Sequence, residues 1–211
     1  ALEGAVQGRD LFVSTGTGSG KTECFMWPLM AKLAAEAKNS PDTWSMRGVR
    51  ALIMYPMNAL VSDQLSRLRQ LIGDSDGKFV NIFRSVCGES MRRPQFGMYT
   101  GRTPYPGNDP VTSEDRKLEK TLDRMSFPQK ESEKVFFEAL QHEGKIPAKA
   151  NMRTFLEGLH NGRHIPDPED AELITRFEMQ QCCPDILITN YSMLEYMLLR
   201  PREAGIWQKT K

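Results

Sequence analysis

Apolar residues in this chain follow two rhythms. Short unbroken runs occur at Leu11–Val13, in "VRALIMYP" (49–56), in "KFVNIFR" (78–84), at the start of "FGMYTGRTPYPG" (96–107) and in "PDILITN" (184–190). Runs of this length predict strands, buried on both faces where the sheet is parallel. Between them lie stripes at helical spacing. Phe25, Leu29 and Leu33, joined by Met26 and Met30, predict a helix over 21–37, with Pro28 kinking it by removing one internal bond. Leu60, Leu65, Leu68 and Leu71 predict a second helix in "NALVSDQLSRLRQLI", and "YSMLEYMLLRP" a third, stopped by Pro201. "NSPDTWSMRG" (39–48) reads as a polar surface loop. Strand alternating with helix predicts an α/β domain with a mainly parallel sheet.

The pattern changes between 108 and 183. This stretch is strongly charged and holds short helical stripes separated by proline or glycine: Leu118, Leu122 and Met125 after Thr-Ser-Glu-Asp, then Met152, Phe155, Leu156 and Leu159 after Asn151. Asp167-Pro168-Glu169-Asp170 reads as an N-cap with proline in the first turn, ahead of Leu173, Ile174 and Phe177. The expectation is a helical insertion, 108–183, appended to the sheet rather than interleaved with it. The domain proper is then 1–107 with 184–211.

Candidate chemistry begins at "LFVSTGTGSGKTECF" (11–25). Gly18 and Gly20 let backbone approach an anion closely, and amides from Gly18 to Thr22 would point at a phosphate beside the positive end of a new helix. Lys21 has the length to reach β- and γ-phosphates, and the Thr22 hydroxyl suits Mg²⁺. The strict loop pattern begins with glycine where this chain has Thr15; the first glycine here is Gly16.

The formal net charge is only +1, so any nucleic-acid contact must be local or made through backbone amides. No apolar run nears the roughly 20 residues that span a membrane, and no signal-peptide pattern opens the chain. Four cysteines lack a C-x-x-C pairing. His160 and His164 flank Gly162 in a loop-like stretch, so solvated histidines and reduced thiols are the stronger reading against a zinc site with Cys182 and Cys183. Reduced thiols fit an intracellular, cytoplasmic protein.

With these segments placed, the chain resembles the first RecA-like domain of superfamily 2 DEAD/DEAH-box helicases. "TGTGSGKTE" is similar to their motif I, "YPMNALVSDQLSRL" to motif Ia and "YTGRT" to the Thr-Gly element after the third strand. "DILITNYSML" resembles a strand and helix start that often reads Thr-Pro, with Asn190 in place of the proline. Pro28 also has a counterpart. The likeness covers 8–107 and 184–200, and its wording is nearest to large bacterial anti-phage defence helicases of the DISARM or Druantia kind. It implies a P-loop NTPase fold using ATP and Mg²⁺. Thr17, Gly18, Ser19, Gly20, Lys21, Thr22 and Glu23 would form the nucleotide set, with Lys21 and Thr22 catalytic and Thr22 on the metal. It further implies that Pro56, Met57, Asn58, Gln64, Thr100, Gly101, Arg102, Thr189, Asn190 and Tyr191 meet a DNA strand (single-stranded, or a duplex with an overhang), with defence-system proteins as further partners and no membrane.

The departures are specific. No DEAD or DEAH tetrapeptide occurs, nor a second RecA-like domain with arginine fingers, nor a clear glutamine motif before the loop. Both ends look like cuts through a larger protein, so the missing chemistry is expected beyond Lys211 and the 211 residues alone are expected to be inactive. Three functions stay open: an ATP-dependent DNA helicase or translocase, a P-loop ATPase that does not act on nucleic acid, and a non-hydrolysing DNA- or partner-binding module.

Overall fold

The computed structural model describes residues 2–14, 16, 20–73, 76–106, 112–162, 165–208 and 210. In chain order they form α1 (Leu2–Val6), α2 (Lys21–Asn39), α3 (Pro41–Ser45), β1 (Ala51–Tyr55), α4 (Asn58–Leu68) and α5 (Lys78–Cys87). There follow β2 (Phe96–Tyr99), α6 (Ser113–Ser126), α7 (Glu131–His142), α8 (Met152–Asn161) and β3 (Glu172–Leu173). The chain then forms α9 (Arg176–Gln181), β4 (Ile186–Asn190), α10 (Tyr191–Leu199) and α11 (Ala204–Gln208). Contacts divide the chain into two compact units, Ala1–Met46 with Asn81–Met91, and Arg47–Val80 with Arg92–Lys211.

In the first unit every described element is helical. The helix expected over 21–37 forms as α2, burying Met26, Leu33 and Ala37 along one stripe, with Pro28 inside it and also buried. Trp44 of α3 is fully buried and its ring centroid lies 5.7 Å from that of Phe83. Two expectations are corrected here. Residues 39–48 are not simply loop, because Pro41 starts a short helix that seats Trp44. Residues 78–84 are not a strand: α5 takes them, with Phe83 and Cys87 buried one turn apart. Leu11–Val13 is a third correction. It is not a strand, and Phe12 is 96% exposed. A strand is held by ladder bonds to a neighbour, and this unit has no strand among its described residues to supply them.

The second unit is built on a four-stranded, wholly parallel sheet in the order β1-β4-β2-β3. β4 lies centrally because "ILI" is apolar on both faces: Ile186, Leu187 and Ile188 are all fully buried. Each such side chain contributes about 1.5–3 kcal/mol. Its register sets Tyr55 beside Asn190 and Tyr99 beside Thr189. One core cluster gathers Tyr99, Leu173, Met179, Leu187, Met193, Met197 and Ile206. With α4, α9 and α10 packed on the sheet, this is the expected RecA-like α/β arrangement with a helical insertion.

At the amino edge, the fully buried carboxylate of Asp185 ties three strands together. It accepts from Arg50 at 2.9 Å, twice from Arg92 at 2.7 Å, and from the Gln95 amide at 2.9 Å. Arg50 precedes β1, and Arg92 and Gln95 precede β2.

Within 108–183, Thr112 caps α6 and Asn151 caps α8, as their sequences suggest. Leu122, Phe155, Leu156 and Leu159 make a second small core. The segment is nonetheless interleaved with the sheet, contrary to expectation, because Glu172–Leu173 pairs with Phe96–Gly97 as β3. No helix begins at Asp167; the cap is Thr175, whose hydroxyl accepts from Glu178 N.

Ion pairs explain the interleaving. Arg69, in a π-helical turn (Arg69–Gly73) continuing α4, donates to both oxygens of Glu172 at 2.7 and 2.6 Å, and to the carbonyls of Gly144 and Lys145. Gly144 sits at φ +67° so close to α4 that a Cβ would lie 2.2 Å from the Ser66 carbonyl oxygen. The Lys149 side chain is 0% exposed and donates to Asp170 at 2.8 Å and to Glu178. Burial alone would lower its pKa, but Glu178 and Asp170 together hold it above the usual lysine value.

Candidate nucleotide and nucleic-acid site

The nucleotide loop belongs to the first unit. Gly20 caps α2 at φ 75°, ψ 28°, a left-handed conformation in which a side chain would be strained. The first amides of a helix have no acceptor within it, so those of Lys21, Thr22 and Glu23 fall at the helix's positive end. Lys21 and Glu23 are exposed and Thr22 is half-buried. A long cation, a hydroxyl and a helix start without a Cβ at its cap suit a phosphate with a divalent metal. Thr15, Thr17, Gly18 and Ser19 lie outside the described residues.

The strand-binding candidates belong to the second unit. Parallel register places the carboxyl ends of β1, β4 and β2 side by side, and the three turns that leave them share one edge of the sheet. Asn190 Nδ2 donates to Asn58 Oδ1 at 2.6 Å, joining the turn after β4 to the first turn of α4. Asn190 Oδ1 accepts from Met193 N, which makes Asn190 the cap of α10. This is why asparagine serves where a Thr-Pro pair is common: its side chain starts the helix itself.

Not every candidate faces solvent. Thr189 is fully buried and donates its hydroxyl to the Tyr99 carbonyl at 2.6 Å. Thr100 is buried too. Its amide donates to Thr103 Oγ1 at 2.8 Å, its hydroxyl accepts from the Arg102 amide at 3.2 Å, and its carbonyl accepts from Arg176 Nη2 at 2.7 Å. Both threonines shape their turns from buried positions. Gln64 is 4% exposed, within the packed face of α4. The accessible set is therefore Pro56, Met57, Gly101, Arg102 and Tyr191, with Asn58 and Asn190 half-buried between them.

Two residues that the sequence did not single out hold this edge. Thr103 donates its hydroxyl to the Met98 carbonyl at 2.7 Å, closing the turn after β2. Arg176 lies between two rings, 5.2 Å from the Tyr99 centroid and 4.6 Å from that of Tyr105, while its guanidinium holds Thr100. Burial pushes the Tyr99 hydroxyl up in pKa, reinforced by its 2.7 Å hydrogen bond to the buried Glu203, so it remains a neutral donor. Nothing in "TRFEMQQ" marked Arg176 as more than a surface charge. Its role rests on β3 pairing alongside β2, which brings the chain at Arg176 to the Thr100 turn.

Among the described residues, no group of three or more His, Cys, Asp or Glu side chains is placed to hold a metal. His160 contacts Glu119 at 3.2 Å, whereas Cys182 lies 3.5 Å from the Gln95 side chain.

Residues 1–103 match the family model described as DEAD/DEAH box helicase. The chain is 42% identical to the Druantia protein DruE of Escherichia coli over 96% of its own length, which is 12% of that protein. It is 34% identical to DEAD-box ATP-dependent RNA helicase 22 of Oryza sativa subsp. japonica over 37% of the chain and 14% of that relative. It is 33% identical to ATP-dependent RNA helicase ROK1 of Scheffersomyces stipitis over 37% of the chain and 13% of that relative. The chain thus spans about an eighth of these curated relatives. No solved structure matches it. The match over residues 1–103 and the likeness to DruE along almost the whole chain together bear out the resemblance to DEAD/DEAH box helicases.

Proposed function

We propose that the chain is the nucleotide- and strand-engaging part of an ATP-dependent DNA helicase or translocase of bacterial anti-phage defence. The observation that carries this reading is the shared carboxyl edge. Three turns leave β1, β4 and β2 side by side and present Pro56, Met57, Gly101, Arg102 and Tyr191 to solvent. In an open parallel sheet this is the edge where ligands sit. Near-neutral overall charge fits contacts made by amides, one arginine and an aromatic ring rather than by a broad basic field. The likeness to DruE supports the defence role. A cytoplasmic location belongs to the same reading. No described helix is long and apolar enough to cross a membrane.

On this reading Lys21 and the first amides of α2 hold the β- and γ-phosphates of ATP, and Thr22 holds its Mg²⁺. The bound metal-nucleotide supplies the phosphoryl chemistry. Lys21→Ala in the full-length protein should lower ATP turnover by about a hundredfold or more and leave folding intact, since Lys21 is exposed. Turnover near wild type would remove the site assignment. Stimulation of turnover by single-stranded DNA, but not by RNA of the same sequence, supports the DNA reading. Stimulation by neither favours an ATPase that does not act on nucleic acid.

A further inference from the structure

A cavity of about 700 Å³ opens beside the Thr100–Arg102 turn. Tyr105 and Phe177 supply its aromatic walls, Gln180 and Gln181 its amides and Arg202 a cation; Glu114 and Asp115 also line it, the Asp115 carboxylate already bonded to the amide and hydroxyl of Thr112. The volume falls within the range of small-molecule sites, and a few polar groups set among aromatic rings is their usual chemistry. All these residues belong to the sheet-bearing unit.

The cavity is tied to the proposed strand edge by short covalent and hydrogen-bonded links. Only two residues separate Arg102 from Tyr105. The Arg176 amide donates to the Pro104 carbonyl at 2.8 Å, and its guanidinium lies against the Tyr105 ring while holding the Thr100 carbonyl. Gln180 Nε2 donates to the Tyr99 hydroxyl at 3.3 Å, which fixes that side chain on the last residue of β2. Walls and turn are therefore one body.

We infer that this cavity receives one unstacked nucleotide of the strand that follows the carboxyl edge. The inference rests on the strand-binding reading above. Tyr105 and Phe177 offer ring faces to a base, which stacks on aromatic side chains regardless of its identity. The carboxamides of Gln180 and Gln181 carry both donors and acceptors, the groups that read a base edge. Arg202, exposed on the 3-10 turn Pro201–Glu203, meets a phosphate at the rim. A nucleotide held here would fix the register of the strand on the edge, something that contacts to phosphate alone cannot do.

The test uses the full-length protein and single-stranded DNA bearing one abasic nucleotide, moved stepwise along the strand, with a free deoxynucleoside monophosphate as a separate arm. One abasic position should weaken binding about tenfold, and Tyr105→Leu should weaken binding to intact DNA by a similar factor. The two losses should not add when combined, because both remove the same stacked pair. Gln181→Ala and Arg202→Ala, both at exposed residues, should each weaken binding without altering thermal unfolding, which guards against a folding defect in Tyr105→Leu. If no abasic position matters, or its loss simply adds to that of Tyr105→Leu, the cavity assignment is overturned. If Arg102→Ala still weakens binding in that case, the edge reading survives. Binding of DNA insensitive to Arg102→Ala would instead count against the edge itself. Tyr105-dependent binding of the free monophosphate, with no abasic effect on DNA, would overturn the strand as the source of the nucleotide.

Discussion

Lys149→Met isolates the contribution of one buried charge. Lys149 serves two carboxylates, Asp170 and Glu178, and all three side chains are within 3% of complete burial. Methionine matches the length of the lysine stem and can still pack on Phe155, whose centroid lies 4.5 Å from Nζ. It removes the positive charge together with its hydrogen bonds to Asp170 and Glu178. Two buried carboxylates then face each other uncompensated, a change that costs about 3–5 kcal/mol. The same carboxylates accept the amides of Ala150, Ile174 and Thr175, so the loss should appear there first. Hydrogen exchange of these amides at pH 7.5 should speed up at least a hundredfold relative to wild type, about 3 kcal/mol in opening free energy.

The pH dependence has a definite sign. In the variant, burial and mutual repulsion raise the carboxylate pKa values in the folded state above their unfolded values. The folded state then takes up protons, and stability returns as pH falls. The defect should shrink between pH 7.5 and pH 5. In the wild type, Asp170 is already pushed up, chiefly by burial, while Lys149 stays above its ordinary value. The Lys149 contribution is complete below the unfolded lysine pKa and is lost only as pH rises through the higher folded one, so that contribution should be constant across this window. Exchange equal to wild type at pH 7.5, or a defect independent of pH, would refute the reasoning.

Asp185→Asn should be comparably severe. It leaves Arg50 and Arg92 without their shared countercharge at the amino edge of three strands, costing about 3 kcal/mol or more, visible as a lowered unfolding temperature. Replacing Glu131–Leu140 with a short flexible linker should change stability by about 1 kcal/mol or less, because α7 has no buried residue; a large drop in unfolding temperature would show that α7 is part of the core.

The elements that could be read from sequence are those whose local pattern decides them. α2, α4, α8 and α10 each carry a stripe, a cap or a stopping proline, and β4 is a run apolar on both faces. α5 was not legible because its aromatic and β-branched residues mimic a strand, while Phe83 and Cys87 are buried at helical spacing. β3 was not legible because two residues carry no period; only its register on β2 makes it a strand. The site divides the same way. The loop and the three turns show in residue type. That Thr100 and Thr189 turn inward depends on Thr103, Arg176 and Tyr99, which reach them from elsewhere in the fold.

The Arg69 fork gives the inserted segment a mechanical relation to the edge. α4 is a rod about 17 Å long, with Asn58 at one end and Arg69 just past the other. Asn58 is bonded to the turn after β4, and Arg69 is bonded to Glu172, Gly144 and Lys145. Gln70 adds a 2.8 Å bond to the His142 carbonyl, at the end of α7. The carboxyl edge and the segment that follows β2 are thus fastened to opposite ends of one helix, so the two share a single brace.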